Sequence, residues 1–442
     1  MDATAIILAA GEGTRMKSNH CKVSHKILGK PMVQWIVDAT IKAGCSRVVV
    51  VIGSHADEMR ALIDGAYANS ATKVECVEQT ERLGTGHAVK VALEACGITQ
   101  GPVVVLNGDL PLITADTVAK FAQTVATGEL ACTVMTMTPP DPFGYGRIKL
   151  GADGQIERII EQKDCTPEQA ATLLECNAGC YAFDGTQLAA HINEIGNDNA
   201  QSEYYLPDML EILKGHGQAV SIFHCDDYRD GLGVNSRIQL AQLTAIARDR
   251  INEHWMAEGV TFIDPTQAWI GPDAVIGRDT VVWPQTHLIG HVTVGEECQL
   301  GPNSRLTDTT VGSGCTIDET IAIEAVIENG VDCGPRRLQG RHARGDQEVH
   351  DRRGFQGAPP VLHRRHHHGL RRQRGRGLHH LQLRWRAQAQ DRHRQGRLHW
   401  LRHHDGRARP DRRRCTRGRR LRHHRAGPGR RARSGPRPSG KY

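Results

Sequence analysis

Aliphatic residues at intervals of six constrain the fold of this 442-residue chain more than any other feature. They are Ile270, Ile276, Val282, Leu288, Val294, Leu300 and Leu306. The residues two places earlier are nearly all small: Ala268, Ala274, Thr280, Thr286, Val292, Cys298 and Ser304. This period predicts a parallel β-helix, in which three such units form one triangular coil and the aliphatic side chains point inward.

The repeat is limited in length. After a one-residue slip it resumes at Val311, Ile317 and Ile323, and it then stops near Cys333. We therefore predict a truncated β-helix at residues 260–335, with about three coils. The preceding residues 235–259 have helical spacing and no proline or glycine before the final residue, so we interpret them as a linker helix.

The first 234 residues have a different pattern, in which short apolar runs alternate with helical segments. The runs AIILAAG (5–11), RVVVVIG (47–53) and VVVLNGD (103–109) are continuously apolar, as buried parallel strands are. This predicts a Rossmann-like α/β domain at residues 1–234. Such a sheet binds ligands beyond the carboxyl ends of its strands, where Gly11 and Asp109 lie.

The loop LAAGEGTRMKSNHCK (8–22) follows the first of these strands. Its small residues and glycines let backbone N–H groups approach a phosphate chain, while Arg15, Lys17 and Lys22 supply positive charge. The loop is neither a Walker loop nor a dinucleotide fingerprint. A tight strand-to-helix turn without a ligand is the alternative interpretation.

Further motifs follow in order: CKVSHKILGKPM, QTERLGTGHA, NGD, FGYGRI, EQKD, NAG, QSEYYLPD and GVNSR. Together with LAAGEGTRM they resemble those of sugar-1-phosphate nucleotidylyltransferases. More narrowly, the set resembles the family of bifunctional bacterial N-acetylglucosamine-1-phosphate uridyltransferases and glucosamine-1-phosphate acetyltransferases, over residues 5–335. The resemblance implies a nucleotidyltransferase domain followed by a left-handed parallel β-helix.

The resemblance also implies roles for individual residues. Those implied to bind the substrates are Leu8, Ala9, Ala10, Gly11, Lys22, Gln79, Gly84, Thr85, Asn107, Gly108, Asp109, Gly146, Glu161, Asn177 and Asn235. The segment 8–11 would hold the nucleoside, Gln79, Gly84 and Thr85 would read the base, and Gly146, Glu161 and Asn177 would contact N-acetylglucosamine.

The implied reaction transfers a uridylyl group from UTP to N-acetylglucosamine 1-phosphate with Mg²⁺ as cofactor. Arg15, Lys22 and Asp109 would be its catalytic residues, and Asp109 and Asn235 would ligate the magnesium, which prefers oxygen ligands. The chain departs from the usual family pattern at Cys21, where proline is common, and at Asn107, where tyrosine is frequent. Neither departure removes a charge that the chemistry requires.

Each residue also has a structural interpretation. Asp109 and Asn235 could be helix caps or turn residues, and Lys22 a solvated surface charge. His87 could act as a base, although we favour a packed or capping role. Cys176 and Cys180 have no second pair nearby and are interpreted as packing residues rather than metal ligands.

Residues 336–442 have an exceptional composition, with 32 arginines, 14 of the 24 histidines and only six acidic residues. Too few apolar residues are present to offset the entropy of folding, so we predict a disordered tail. The composition is typical of a GC-rich gene read out of frame, and reading one base later permits two strings that resemble the family's acetyltransferase region. We therefore place a frameshift near residues 334–337.

A frameshift there would remove acetyl transfer to glucosamine 1-phosphate and weaken the homotrimer that the family forms through its β-helix. One alternative is an intact bifunctional enzyme, if the shift is a sequencing error. Another is a protein whose basic tail binds nucleic acid, but the tail has few aromatic residues for base stacking, and we expect no specific nucleic-acid partner. The absence of a signal peptide, of metal-binding cysteine spacings and of long apolar runs predicts a cytoplasmic protein without a membrane partner.

Overall fold

The computed structural model describes residues 2–151, 154–199, 201–340 and 342–343. An α/β domain is followed by a long helix and a parallel β-helix, which confirms the predicted fold class. The part of the predicted disordered tail from residue 344 onward, and most of the sequence attributed to a frameshift, lies outside the described residues.

The α/β domain contains strands β1 to β11 and helices α1 to α7. The strands are Thr4–Leu8, Lys26–Ile27, Lys30–Pro31, Arg47–Ile52, Lys73–Glu78, Pro102–Asn107, Cys132–Met137, Arg147–Leu150, Ile156–Ile160, Cys176–Asp184 and Val220–His224. The helices are Met32–Lys42, Ala56–Tyr67, Thr85–Cys96, Ala115–Gln123, Pro167–Thr172, Gly185–His191 and Met209–Gly215. Short 3₁₀ helices include Thr14–Met16, Lys22–Ser24, Ile192–Glu194 and Leu206–Asp208.

The main sheet of this domain has the strand order β11-β7-β10-β6-β1-β4-β5. Strand β1 is parallel to both β4 and β6, with Leu8 beside Asn107 at their carboxyl ends. Alternate residues of β1 pack into two hydrophobic cores, Ile7 into one and Ile6 into the other. Burial on both faces explains why the sequence is continuously apolar there, and it leaves the carboxyl ends of the strands as the edge at which polar side chains can gather.

Helix α8, Arg237–Ala257, lies within the predicted linker. It begins at Ser236, whose hydroxyl accepts a hydrogen bond from the Gln239 backbone at 3.2 Å. Arg250 donates to the Leu112 carbonyl in the α/β domain at 2.7 Å. Asn252 is fully buried and donates to the carbonyl of Ala268 in the β-helix at 3.0 Å. Helix α8 is therefore hydrogen-bonded to both the α/β domain and the β-helix.

The β-helix contains strands β12 to β26. They are Thr261–Phe262, Ala268–Ile270, Val275–Ile276, Val281–Val282, Thr286–Ile289, Thr293–Val294, Gln299–Leu300, Arg305–Thr307, Thr310–Val311, Thr316–Ile317, Thr320–Ile323, Val326–Ile327, Asp332–Cys333, Arg336–Gln339 and His342–Ala343. They form three parallel five-stranded sheets, in which each strand pairs with the third strand after it. The aliphatic and small residues of the repeat from 268 to 306 are buried, as predicted.

Three details differ from the sequence analysis. The side chains of Leu288, Leu306 and Ala322 form one inward-facing column, because these residues pair in successive strands. The spacing along this column falls from 18 residues (Leu288 to Leu306) to 16 (Leu306 to Ala322). The inward position of β22 is therefore occupied by Ala322, which is fully buried, and not by Ile323. Strands continue past residue 335, because Leu338 is buried and continues the Ala322 column. The described β-helix therefore has five strands per sheet rather than about three coils.

Among the described residues, no helix combines the length and the apolar character that crossing a bilayer would require.

Candidate active site

A cavity of about 920 Å³ opens at the carboxyl ends of β1 and β6. Eleven of the predicted site residues line it: Leu8, Ala9, Ala10, Gly11, Lys22, Gln79, Gly84, Thr85, Asn107, Asp109 and Asn235. They come from segments far apart in the chain, which the parallel sheet brings to one edge. Gly108 lies beside this set, packed closely against β1: a Cβ there would lie 2.8 Å from the Leu8 carbonyl oxygen.

The loop after β1 requires glycine at residue 13. Gly13 has a φ of 61°, and a Cβ at this position would lie 2.5 Å from the Cβ of Lys22. Both the left-handed backbone and the contact therefore exclude larger residues. The loop is thus held directly against the lysine that was predicted to bind phosphate.

Three charged or polar side chains that line the cavity, those of Lys22, Asp109 and Asn235, converge, and Arg15 contacts them from outside the lining. The Lys22 ammonium donates to Asp109 Oδ2 at 2.5 Å and to Asn235 Oδ1 at 3.3 Å. Arg15, which is exposed, donates to the same Asn235 oxygen at 2.9 Å. The side chains of Lys22 and Asp109 are only 17% and 14% exposed, so this ion pair is shielded from water. The predicted catalytic residues are therefore adjacent to one another.

The contacts of this cluster argue against a surface-charge role for Lys22 and against helix-cap roles for Asp109 and Asn235, while Asp109 does lie in a turn. Lys22 is not a solvated charge, because it is largely buried against Asp109. The N-cap of α4 is Thr114, and that of α8 is Ser236, so neither Asp109 nor Asn235 caps the helix that follows it.

The donor set fits a divalent cation with oxygen ligands. Asp109 Oδ2 and Asn235 Oδ1 both face the Lys22 ammonium, so a carboxylate and an amide oxygen already converge on a positive charge. Oxygen donors of these two kinds suit Mg²⁺.

A second wall of the cavity is formed by Gln79 and the turn before α3. Gln79 is 4% exposed, and its amide nitrogen lies 3.1 Å from the Gly84 carbonyl and 3.0 Å from His87 Nδ1. His87 thus packs against Gln79 and does not line the cavity, which agrees with the packed role favoured from the sequence. The hydroxyl of Thr85 accepts a hydrogen bond from the Leu206 backbone at 3.0 Å.

Gly146, Glu161 and Asn177 form a neighbouring group that does not line the cavity itself. The Asn177 backbone donates to the Gly146 carbonyl at 2.8 Å, and a Cβ on Gly146 would lie 3.4 Å from Glu161 Oε1. Asn107 joins this region to the cavity, since its side chain donates to the Gly179 carbonyl at 3.1 Å.

Seven cavity residues were missed as site residues by the sequence analysis, and four of them are charged or carry a phenol: Glu12, Arg82, Glu203 and Tyr205. Arg82 and Glu12 form an ion pair at 2.6 Å between the two loops that line the cavity. Glu203 and Tyr205 also line it. Desolvation, followed by the charge of Glu203, raises the pKa of the Tyr205 phenol. Glu12 lies in LAAGEGTRM, Arg82 in QTERLGTGHA, and Glu203 and Tyr205 in QSEYYLPD, so these motifs could have identified them.

Cys176 and Cys180 are both buried, and burial raises the pKa of each thiol. In the described part of the chain neither belongs to a group of three potential metal ligands. Both observations agree with a packing role, since metals bind the thiolate form.

Comparison with known proteins gives concordant matches for both folded parts. Residues 5–162 match the MobA-like NTP transferase domain, and residues 273–308 match the bacterial transferase hexapeptide (six repeats). A bifunctional protein GlmU from Exiguobacterium sibiricum is 42% identical over 335 residues, which are 76% of this chain and 73% of that protein. One from Halalkalibacterium halodurans is 42% identical over 347 residues, 78% of this chain and 74% of the relative.

Proposed function

This chain belongs to the family of the bifunctional protein GlmU, and from that premise we propose that its α/β domain transfers a uridylyl group from UTP to N-acetylglucosamine 1-phosphate. The products are UDP-N-acetylglucosamine, a precursor of cell-wall polysaccharides such as peptidoglycan, and pyrophosphate. We place the enzyme in the cytoplasm.

The observation that carries this proposal is the convergence of Lys22, Arg15, Asp109 and Asn235 beside the glycine-containing loop. Two polyanionic substrates have to meet in this reaction. A shielded lysine and an arginine at a strand edge provide the positive charge that permits their approach.

The reaction itself needs no covalent nucleophile on the protein. A phosphate oxygen of the sugar phosphate attacks the α-phosphorus of UTP in line, the new P–O bond forms, and the bond to the pyrophosphate leaving group breaks. Lys22 and Arg15 stabilise the negative charge that develops on the phosphates. Asp109 and Asn235 would hold Mg²⁺, which supplies further charge neutralisation when it is bound.

The remaining residues select the substrates. Leu8 to Gly11 and Gln79 would hold the nucleoside, and the buried amide of Gln79 is kept in place by Gly84 and His87. Gly146, Glu161 and Asn177 would bind the N-acetylglucosamine part. Asn107, whose side chain is bonded to Gly179, lies between the two groups.

The direct test is pyrophosphate release from UTP and N-acetylglucosamine 1-phosphate in the presence of Mg²⁺. We expect Asp109→Ala to lower the rate by roughly 10²-fold or more, because it removes a charged ligand and the partner of Lys22. Asp116→Ala is the matched control, since Asp116 is an exposed acid on α4. Turnover that is undiminished in Asp109→Ala would refute the metal assignment.

For the second activity of the family we propose that acetyl transfer to glucosamine 1-phosphate is absent from this chain, because residues from about 334 onward are read out of frame. Detection of acetyl transfer from acetyl-CoA in a single purified product would overturn this proposal. Resequencing the codons for residues 334–337 would distinguish a genuine frameshift from a reading error. If the shift is a reading error, the enzyme is bifunctional.

The same shift leads us to propose that the homotrimer of the family is weakened here. Sedimentation of the full chain should then show concentration-dependent dissociation, whereas a trimer that persists at nanomolar concentration would contradict the proposal. The basic tail should bind nucleic acid only nonspecifically, with a steep salt dependence. Deleting residues 344–442 should remove that binding and leave uridylyl transfer unchanged.

A further inference from the structure

A cluster of two histidines and one glutamate lies outside the site described above. It consists of His191 at the end of α6, Glu194 in the following 3₁₀ helix, and His216 just after α7. Among the described residues, these three form the single group of at least three potential metal-ligating side chains whose donor atoms converge. None of them has a part in uridylyl transfer as proposed above.

The donor atoms are arranged around one carboxylate. His191 Nδ1 lies 2.7 Å from Glu194 Oε1, and His216 Nε2 lies 2.9 Å from Glu194 Oε2. The two imidazole rings face each other with centroids 4.0 Å apart. One donor atom from each residue lies within 4.8 Å of the others. Tetrahedral coordination at about 2.0–2.1 Å needs donors about 3.3 Å apart, a separation of the same order as those found here.

From this geometry we propose that His191, Glu194 and His216 bind a Zn²⁺-class transition metal, with water completing the coordination. Two imidazoles and one carboxylate are a ligand set typical of Zn²⁺ rather than of Mg²⁺, which prefers oxygen ligands. The His191 side chain is 17% exposed and those of Glu194 and His216 are 45% exposed, so the site is open to an ion from solvent.

The position of the cluster gives such a metal a structural consequence. His191 and His216 are the two ends of a segment that carries Glu203 and Tyr205 into the active-site cavity. The middle of this segment is already hydrogen-bonded to the turn before α3, through Tyr204 N to Leu83 O at 2.7 Å, and to the first turn of α3, through Gly86 N to Tyr204 O at 2.8 Å. A bound metal would join the two ends and thereby close the segment at its base.

The test must distinguish this site from the many histidines near the carboxyl end of the chain, 14 of which lie beyond residue 335. We would therefore measure carbethoxylation of individual histidines of the full chain by peptide mass spectrometry, with increasing Zn²⁺. His191 and His216 should be protected together along one saturation curve. His224, which is exposed and pairs with Glu175, is the internal reference and should stay reactive.

Variants make the assignment specific. Glu194→Gln should raise the Zn²⁺ concentration for half-protection by at least about tenfold, because even supporting residues of metal sites contribute that much. His224→Gln should leave the curve unchanged. Should Glu194→Gln fold poorly, His216→Gln, at an exposed position, should abolish protection of His191. Full reactivity of both histidines at saturating Zn²⁺, equal protection in Glu194→Gln, or equal protection by Mg²⁺ would each overturn the proposal.

Discussion

The active-site cavity and the β-helix interior both consist of side chains that the fold brings together, but they are assembled differently. In the cavity, Leu8, Asp109 and Asn235 come from segments separated by a hundred residues or more, and Lys22 donates hydrogen bonds to both Asp109 and Asn235. In the β-helix, Leu288 and Leu306 are neighbours because every coil repeats the previous one. Their interchangeable aliphatic side chains make the same contacts in successive layers.

This difference indicates how each region responds to change. A cavity residue is required for its functional group, so substituting it should reduce activity and leave the fold largely intact. A β-helix residue is specified by its position, so its loss should reduce the free energy of unfolding and leave the chemistry of each folded molecule unchanged.

The largest expected effect is that of Lys22→Met on uridylyl transfer. Removal of this shielded cation should lower kcat/KM by about 10²–10³-fold, because the phosphates lose their stabilising charge. Lys26→Met, at an exposed position on β2, should change it little. Steady-state pyrophosphate release measures both variants. Equal losses in the two would show that general positive charge, and not the position of Lys22, is what matters.

Next in size is the effect of Leu300→Ala in the β-helix. Leu300 is fully buried, and the cavity left by the truncation should cost about 2–5 kcal/mol of unfolding free energy. Val275→Ala, at a site 53% exposed, should cost less than about 0.5 kcal/mol. Urea unfolding followed by circular dichroism measures both. A loss of uridylyl transfer per folded molecule in Leu300→Ala would contradict the separation of the two regions.

A smaller effect is expected where the two regions are joined by α8. Arg250 donates to Asp227 at 2.6 Å and to the buried Asp230 at 2.8 Å. Arg250→Met should lower the unfolding free energy by about 1.5–3 kcal/mol, the range for hydrogen bonds to charged groups. Arg158→Met, at an exposed strand position, is the control. Calorimetry that showed unchanged unfolding in Arg250→Met would mean that the other contacts of α8, such as that from Asn252 to Ala268, are sufficient to hold it in place.

The smallest expected effect is on the pH dependence of stability, through His287 in the β-helix. Burial, with a contribution from Arg305, lowers the pKa of His287 below its usual range. The unfolded chain therefore binds a proton at a higher pH than the folded one, and stability should fall as pH decreases from the ordinary imidazole pKa of about 6.5. His287→Gln should flatten this slope in thermal melts between about pH 5 and 7. An unchanged slope would assign it to other groups.

The sequence was most informative where a local rule determines the structure. Continuous apolar runs predicted the buried parallel strands, and the six-residue period predicted the buried residues from Ala268 to Leu306. The period did not reveal that Ala322 replaces Ile323 inside, because the coil shortens at its corners and the spacing alone does not show which residue is lost.

Other features depend on contacts between distant segments. Glu203 and Tyr205 reach the cavity because the Leu206 backbone is bonded to Thr85, a pairing that no local pattern encodes. Gly146 meets Asn177 only because β8 and β10 are paired. A family resemblance can indicate such residues in advance, whereas spacing along the chain cannot.

The ion pair between Lys22 and Asp109 makes ligand binding an exchange and not a simple addition. Each group already satisfies the other, so a triphosphate that recruits Lys22 releases a carboxylate, and a cation that recruits Asp109 releases an ammonium. Whichever ligand binds first must break the ion pair between Lys22 and Asp109. The ligand that binds second finds the side chain that it needs already released. Nucleotide and divalent cation should therefore bind with positive thermodynamic coupling, each increasing the affinity for the other by the same factor.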